Sequence, residues 1–419
     1  MYHSKKGFTL VEMLIVTVIF ILVIMAASSS FNVLLTQMAK LTKSEESNIE
    51  GVVGLEMLRH DLQQVGFGLP NEYLDPAPTY TEASIDPADN FNDAPSGLPR
   101  AVVAANNLLA GVELEDAVDG VTYALLAGTD YLALKGTTLG MNETAQKWTY
   151  TSFGTDPRLW QDPHLNLVKD DDRVVVIKKT FGGENKPTVS QLIYDPDSPA
   201  AYWTTFDPDG LAAAFSPILP EEVFYVYGIR ADGNVSMPFN RSDYFVATPD
   251  ATDRVPSYCA PGTGILYKAR VTHDEIATTG YAAGALQPMP LLDCVADMQV
   301  VFGWDMDDDN AIETWSSPVG SGGAVEVVPA ANLTLVQTAF ANTDSTLLLR
   351  DRLKIVKIYL LAQVGRRDPN YQSPVNPIVV GNPAVDGISK NYPLTAAMRN
   401  YRWKVYQLVV RPQNLESNQ

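Results

Sequence analysis

The sequence predicts an α+β fold: one long N-terminal helix followed by a large, mostly antiparallel β head. Three observations carry this. Residues 8–27 form a run of 20 that holds a single charge, Glu12. Apolar residues then recur at near-helical spacing (Leu34, Met38, Leu41, Ile49, Val52, Leu55), with Lys40, Lys43, Ser44, Glu46 and Glu50 between them. Beyond residue 100, short runs of β-branched and aromatic residues alternate with turn residues, without the βα alternation of a parallel sheet.

The first half of the helix has the dimensions of a membrane span. At about 1.5 Å per residue, residues 8–27 cover roughly 30 Å, the thickness of a bilayer core. Lys5 and Lys6 precede the run and no cation follows until Lys40. The positive-inside bias therefore places the N-terminus in the cytoplasm and everything after Ser30 across the membrane. Glu12 is the anomaly, because an acid at the bilayer centre costs about 2.5–3.5 kcal/mol and is kept where it has a partner. Cleavage after Gly7 would supply one, a cationic amine on Phe8. A secretory signal peptide with small residues at Ala26, Ala27 and Ser28 is one alternative, but a removable signal has no use for Glu12 and its apolar region runs about 7–15 residues. A plain membrane anchor is the other.

The order KKGFTLVEMLIV at residues 5–16 resembles the leader and mature start of type IV pilins and type II secretion pseudopilins. The resemblance implies a leader with cations Lys5 and Lys6 and a prepilin peptidase that cuts between Gly7 and Phe8. Phe8 is then N-methylated. Glu12 pairs with the N-terminal amine of a neighbouring subunit and sets the axial register. Further segments are similar to the PilW family of minor pilins: LEMLRHDLQQVGFGLP at 55–70, ILYKARV at 265–271, LLDCVADMQVVFGWDMDDDN at 291–310, LKIVKIYLLAQVGRR at 353–367 and YRWKVYQLVVRPQNL at 401–415. His60, Val65 and the length of the chain depart from that family's pattern, and residues 71–260 match nothing in it.

What the resemblance implies is a pilin-like α+β fold with a leader (1–7), a transmembrane helix (8–30), its amphipathic continuation (31–66) and a periplasmic β-rich head (67–419) whose middle, about 71–260, is variable. The expected role is a minor pilin that helps initiate pilus assembly and sits at the fibre tip, waiting in the inner membrane before joining the extracellular fibre. Expected partners are the prepilin peptidase, other minor pilins, the major pilin, the inner-membrane assembly platform and the membrane itself. A J-type minor pseudopilin of type II secretion shares the leader and a β head. From a different class, the head could be a tip adhesin or ligand-binding module.

Along the chain, Gly51 and Gly54 weaken the helix by about 1 kcal/mol each relative to alanine, and Gly66, Gly68 and Pro70 stop it. A helix over 9–65 would be about 85 Å long. Residues 70–99, rich in Pro, Asp, Asn and Thr, read as a loop. Strands are expected at 100–104, 130–135, 147–153, 173–179, 222–229, 264–270, 295–304, 353–364 and 403–411. Residues 195–215 and 239–261 read as long loops, and the acidic run Asp170–Asp172 as an exposed turn. The head is long enough for a sizeable core and two lobes.

The formal charge of −19 argues against direct nucleic-acid binding, which needs a basic surface, and favours solubility. The two cysteines, Cys259 and Cys294, are a disulfide candidate in an oxidising compartment, with two free buried thiols as the alternative. Asp305, Asp307 and Asp309 alternate along DMDDDN, with Glu313 following. That is how a calcium loop begins, because a hard cation wants several carboxylate oxygens converging. Asn310 at position six and Ser316 at position twelve break the template, so a solvated acidic turn is the competing reading and no cofactor is otherwise expected. His3, His60, His164 and His273 belong to no metal or nucleophile spacing, and no Gly-x-Ser-x-Gly elbow is present. No enzymatic activity is expected.

Overall fold

A single helix, α1 (Leu10–Gln64), opens the fold and runs 55 residues, within one residue of the expected bounds. The computed structural model describes residues 10–415 except 117, 119, 181–187, 251–254, 276–279, 308, 310, 321–323 and 342–345. It leaves aside the side chains of 12, 26, 27, 29–50 and 346–348. Among the described residues no helix is long and apolar enough to cross a membrane. The expected span over 8–30 includes residues and side chains outside that set.

After α1 come β1 (Val102–Ala105), β2 (Glu113–Glu115), β3 (Thr122–Leu125), β4 (Tyr131–Gly136), β5 (Trp148–Ser152), β6 (Asp172–Thr180), β7 (Val189–Leu192), β8 (Thr204–Thr205), β9 (Val223–Ala231) and β10 (Asn240–Pro249). They are followed by β11 (Gly264–Val271), β12 (Leu286–Trp304), β13 (Thr314–Ser316), β14 (Val327–Val328), α2 (Leu333–Ala341), α3 (Thr346–Arg352), β15 (Leu353–Val364), β16 (Ile378–Gly381), β17 (Ser389–Tyr392) and β18 (Arg402–Val410). Among the described residues the named strands pair antiparallel throughout.

The large sheet has 11 strands, with β1-β4-β10-β11-β12 as its spine and β15 and β18 continuing from β12. A 5-stranded sheet runs β5-β9-β6-β7 with β8 on β6, and β16 and β17 make a separate hairpin. The main core lies between the large sheet and the last turns of α1, where Leu55, Leu58, Leu62 and Val65 are buried. A second core under the outer face of the five-stranded sheet gathers Val174, Val176, Phe206, Phe224 and Val226.

Two expectations are corrected. Residues 239–261 are not one long loop, since β10 occupies 240–249 in the middle of the large sheet. Its opening residues Asn240, Arg241, Ser242 and Asp243 look like loop chemistry but are buried. Asp172 is not an exposed turn residue: it is buried, opens β6, and accepts hydrogen bonds from the Thr144 hydroxyl (2.6 Å) and the Val168 amide (2.8 Å).

The polar start of β10 is explained by a buried ion network. Arg241 binds Asp243 through Nε (2.8 Å) and Nη2 (2.8 Å) and reaches Glu82 at 3.1 Å. Lys135 of β4 lies 2.6 Å from Glu82 and 2.5 Å from Asp93, and Arg100 donates to Asp93 at 2.6 Å. The Tyr131 hydroxyl donates to Asp243 at 2.6 Å. Three cations and three carboxylates therefore close on themselves inside the core, where each group would be costly alone. The irregular stretch expected at 70–99 is real, apart from a short 3-10 turn at Ala88–Phe91, but Glu82 and Asp93 tie it to the sheet.

Candidate functional site

The residues expected to act in assembly lie at and just before the start of α1, and the structure shows how the two ends of that helix differ. Lys5, Lys6, Gly7 and Phe8 lie outside the described residues. Glu12 lies within α1, and its side chain is outside the described set. Around it the helix is apolar on every side. Leu10, Val11, and the large apolar side chains from Met13 to Met25 are all exposed, none below 49%. Thr17 does not interrupt this surface, because its hydroxyl donates back to the carbonyls of Met13 (3.0 Å) and Leu14 (2.9 Å). A helix apolar all round requires an apolar environment supplied from outside the subunit.

The other end of α1 is keyed into the head. Gly54 faces Leu291 so closely that a Cβ there would fall 2.4 Å from the Leu291 carbonyl oxygen. The glycine that weakens the helix locally is what lets it approach β12. About two turns later Asp61 enters the core. Its Oδ2 accepts from Lys268 Nζ (2.6 Å) and from the Tyr244 hydroxyl (2.6 Å), and His60 Nδ1 lies 3.6 Å from Oδ1. Burial alone would push the Asp61 carboxyl up, but His60, Lys268 and Tyr244 together hold it below its usual range. The neighbouring Asp61 carboxylate in turn raises His60, against a smaller effect of burial.

Gly66 and Gly68 then reverse the chain with φ of +83° and +67°, a conformation that side-chain-bearing residues rarely adopt. The Gly66 amide donates to the Lys135 carbonyl (2.9 Å), and Phe67 packs edge-on against Tyr227 with centroids 5.2 Å apart. The helix end thus joins both sheets.

Cys259 and Cys294 form a disulfide, with Cα atoms 5.0 Å apart and a sequence separation of 35. It anchors the connection before β11 to β12 at a register shift near Val295.

The acidic turn after β12 brings its four candidates together. One carboxylate oxygen each from Asp305, Asp307, Asp309 and Glu313 lies within 4.8 Å of the others, Asp305 buried and the rest exposed. This can chelate a hard cation, yet several oxygens already have protein partners. Glu313 accepts from the Met306 amide (2.8 Å), Asp309 from the Ala311 amide (2.7 Å), and Lys354 Nζ stands 3.9 Å from Asp305. Asn310 is outside the described residues.

The histidines hold structural places. His273 is buried between the Ser236 amide (3.1 Å to Nδ1) and Asn240 (3.2 Å from Nε2), and burial beside Arg230 and Arg270 pushes it down to about 3. His164 is exposed, and His60 only flanks Asp61. His3 lies outside the described residues.

The residues that fasten α1 to the head, Asp61, Lys268 and Tyr244, do not stand out in the sequence as functional positions. A signal is nonetheless present: a lone acid among buried Leu58, Leu62 and Val65, and a lone lysine inside the apolar strand ILYKARV.

A family model described as the prokaryotic N-terminal methylation motif matches residues 2–28. Comparison with curated proteins found no match, and comparison with solved structures found none. The matched segment covers the leader, the Gly7–Phe8 junction, Glu12 and the exposed apolar part of α1, and it supports a type IV pilin-like prepilin in pilus or secretion assembly.

Proposed function

We propose that this chain is a minor pilin of the PilW kind, anchored in the inner membrane by α1 and incorporated with other minor pilins into a complex that primes the fibre and caps its tip. The observation that carries the reading is the division of α1: exposed and apolar on all sides from Leu10 to Met25, and near its end one face, Leu55, Leu58, Asp61 and Leu62, buried against the head with Asp61 ion-paired there. Such a subunit offers neighbours a helix and keeps its head rigidly attached. In an apolar fibre core, lateral packing of α1 supplies many small dispersion contacts. Glu12, paired with the methylated amine of a neighbour's Phe8, fixes the axial position, because any other register leaves two charges unpaired in a low-dielectric setting.

The test is Glu12→Ala in cells. Membrane insertion is unaffected, and incorporation and piliation fall severely; normal piliation removes the register argument. In parallel, Gly7→Glu blocks removal of the leader, read as slower gel mobility than wild type. Loss of twitching with intact exoprotein export assigns the pilus, and the reverse pattern assigns the J-type pseudopilin of type II secretion.

A further inference from the structure

Most buried or half-buried cations of the head have a carboxylate, as Lys135, Arg100, Arg241, Lys268, Lys357 and Lys390 show. Among the described residues Lys147, Lys179, Arg350, Arg352 and Arg399 do not, and two of these, Lys179 and Arg350, stand together. Arg350 of α3 has its Nε buried without a hydrogen-bond partner. Its neighbour Asp351 acts on it only through space. Lys179 of β6 has its Nζ over the Tyr225 ring, 4.9 Å from the centroid. Burial and the charge of Arg350 both hold the Lys179 ammonium below its ordinary range. In a chain of net charge −19, two adjacent, partly desolvated cations that among the described residues share one carboxylate acting through space, Asp351, leave an unspent attraction for an anion.

The register of the five-stranded sheet puts aromatic rings on the same face. Tyr150 opposes Tyr225, which opposes Ile177; Trp148 opposes Tyr227, which opposes Val175. Directly opposed residues share a face, and Lys179, two positions after Ile177, shares it too. Trp148, Tyr150 and Tyr225 are half-buried there. Trp160 extends the row, edge-on to Trp148 at 5.2 Å and oriented by its indole N–H donating to the Trp148 carbonyl at 2.8 Å. Beside Tyr150 an open cleft of about 340 Å³ is lined by Thr155, Asp156, Arg158 and Leu159.

We infer that this face, from the Tyr150 cleft across Trp160, Trp148 and Tyr225 to Lys179 and Arg350, binds a glycan bearing a carboxylate. The C–H-rich faces of sugar rings pack on the partly exposed aromatic rings, whose negative π faces attract polarised C–H groups. Asp156 and Arg158 meet hydroxyls, and Lys179 and Arg350 take the carboxylate, the guanidinium as a planar fork. Single-stranded nucleic acid would also stack on aromatics, but two cations cannot offset a charge at every nucleotide against a net charge of −19. The inference concerns the head alone and does not rest on the pilus reading.

The experiment uses the full-length protein in detergent micelles, with trigalacturonate as probe and intrinsic tryptophan fluorescence and calorimetry as readouts. Saturable binding with a fluorescence change is expected, at least tenfold tighter than neutral galactotriose. Lys179→Met and Arg350→Met each weaken it at least tenfold. Trp160→Ala weakens it and removes most of the fluorescence response. Circular dichroism melting reports whether each variant is folded, and Arg350→Lys, which keeps the charge and loses the fork, gives an intermediate affinity. No saturable binding by about 10 mM, weaker than any specific site of this size, binding indifferent to both cation variants, or equal binding of a tetraglutamate peptide or a dT oligonucleotide overturns the proposal.

Discussion

Lys268 Nζ and Asp61 Oδ2 lie 2.6 Å apart inside the head. One belongs to a central strand of the large sheet and the other to the N-terminal helix, so a buried ion pair joins that helix to the globular body. Both side chains are almost fully buried, at 4% and 5% exposure. The Tyr244 hydroxyl closes the remaining gap. Any displacement of α1 relative to the sheet would pull opposite charges away from each other in a low-dielectric setting.

Breaking this pair from one side leaves the other charge stranded. Asp61→Asn and Lys268→Met should each destabilise by about 3–5 kcal/mol, and the double variant Asp61→Leu/Lys268→Met should recover much of the loss. Thermal melting of the three proteins measures this. Equal melting of wild type and Asp61→Asn would show that the pair contributes nothing.

The pH profile has two limbs. Asp61 and Asp93 are held below their ordinary range, Asp61 as above and Asp93 by Lys135 and Arg100 against burial. Their contribution is present above the unfolded value of about 4 and is lost as pH falls through the lower folded values. Asp130 behaves oppositely. It is buried between the amides of Asn107 (2.8 Å) and Val300 (2.7 Å), and burial pushes it up to about 8. The folded state therefore holds a proton that the unfolded chain has released, and the Asp130 contribution declines as pH rises from about 4 towards 8; up to about 6.5 it is offset by His273, held neutral down to about 3 in the fold, so the net decline falls above about 6.5. Denaturant melts between pH 3 and 9 should show a maximum in the mildly acidic range, and Asp130→Asn should flatten the upper limb. A profile rising monotonically to pH 8 contradicts the assignment.

Gly54 is a test of close approach against helix propensity. Alanine is the better helix former by about 1 kcal/mol, yet its Cβ would meet the Leu291 carbonyl at 2.4 Å. Gly54→Ala should lower the melting temperature by several degrees, while Val53→Ala, on the exposed side, should leave it within about 0.5 kcal/mol of wild type. A stabilised Gly54→Ala would mean that the helix and β12 lie further apart.

The acidic turn distinguishes a solvated cluster from a calcium loop. Its backbone and Lys354 partners favour the solvated state. Millimolar calcium is expected to leave the melting temperature unmoved, and Asp307→Asn to raise it slightly by relieving repulsion among four carboxylates within 4.8 Å. A calcium-dependent rise that Asp307→Asn abolishes would instead make these side chains ligands.

The long helix, the antiparallel head and nine of its strands are legible in the sequence because their signals are local: periodicity, apolar run length, turn residues. The strand at Asn240–Pro249 is not, because Asn-Arg-Ser-Asp is turn chemistry until Glu82, more than 150 residues earlier, arrives to pair Arg241. The disulfide candidate and the acidic turn can be named from residue type, and only folded coordinates show which atoms face each other. The aromatic and cationic face of the five-stranded sheet leaves no linear trace. Trp148, Tyr225, Lys179 and Arg350 share it through strand register and the position of α3, neither of which a single segment encodes.

By itself the sequence determined the start of the chain: the N-terminal methylation motif over residues 2–28, with Gly7, Phe8, Glu12 and an apolar run in one continuous stretch whose chemistry depends on near neighbours. Tertiary structure alone decided how that helix is held. The Asp61–Lys268 pair spans 207 residues, and a buried charge acquires its partner only when distant segments are brought into contact and water is excluded between them.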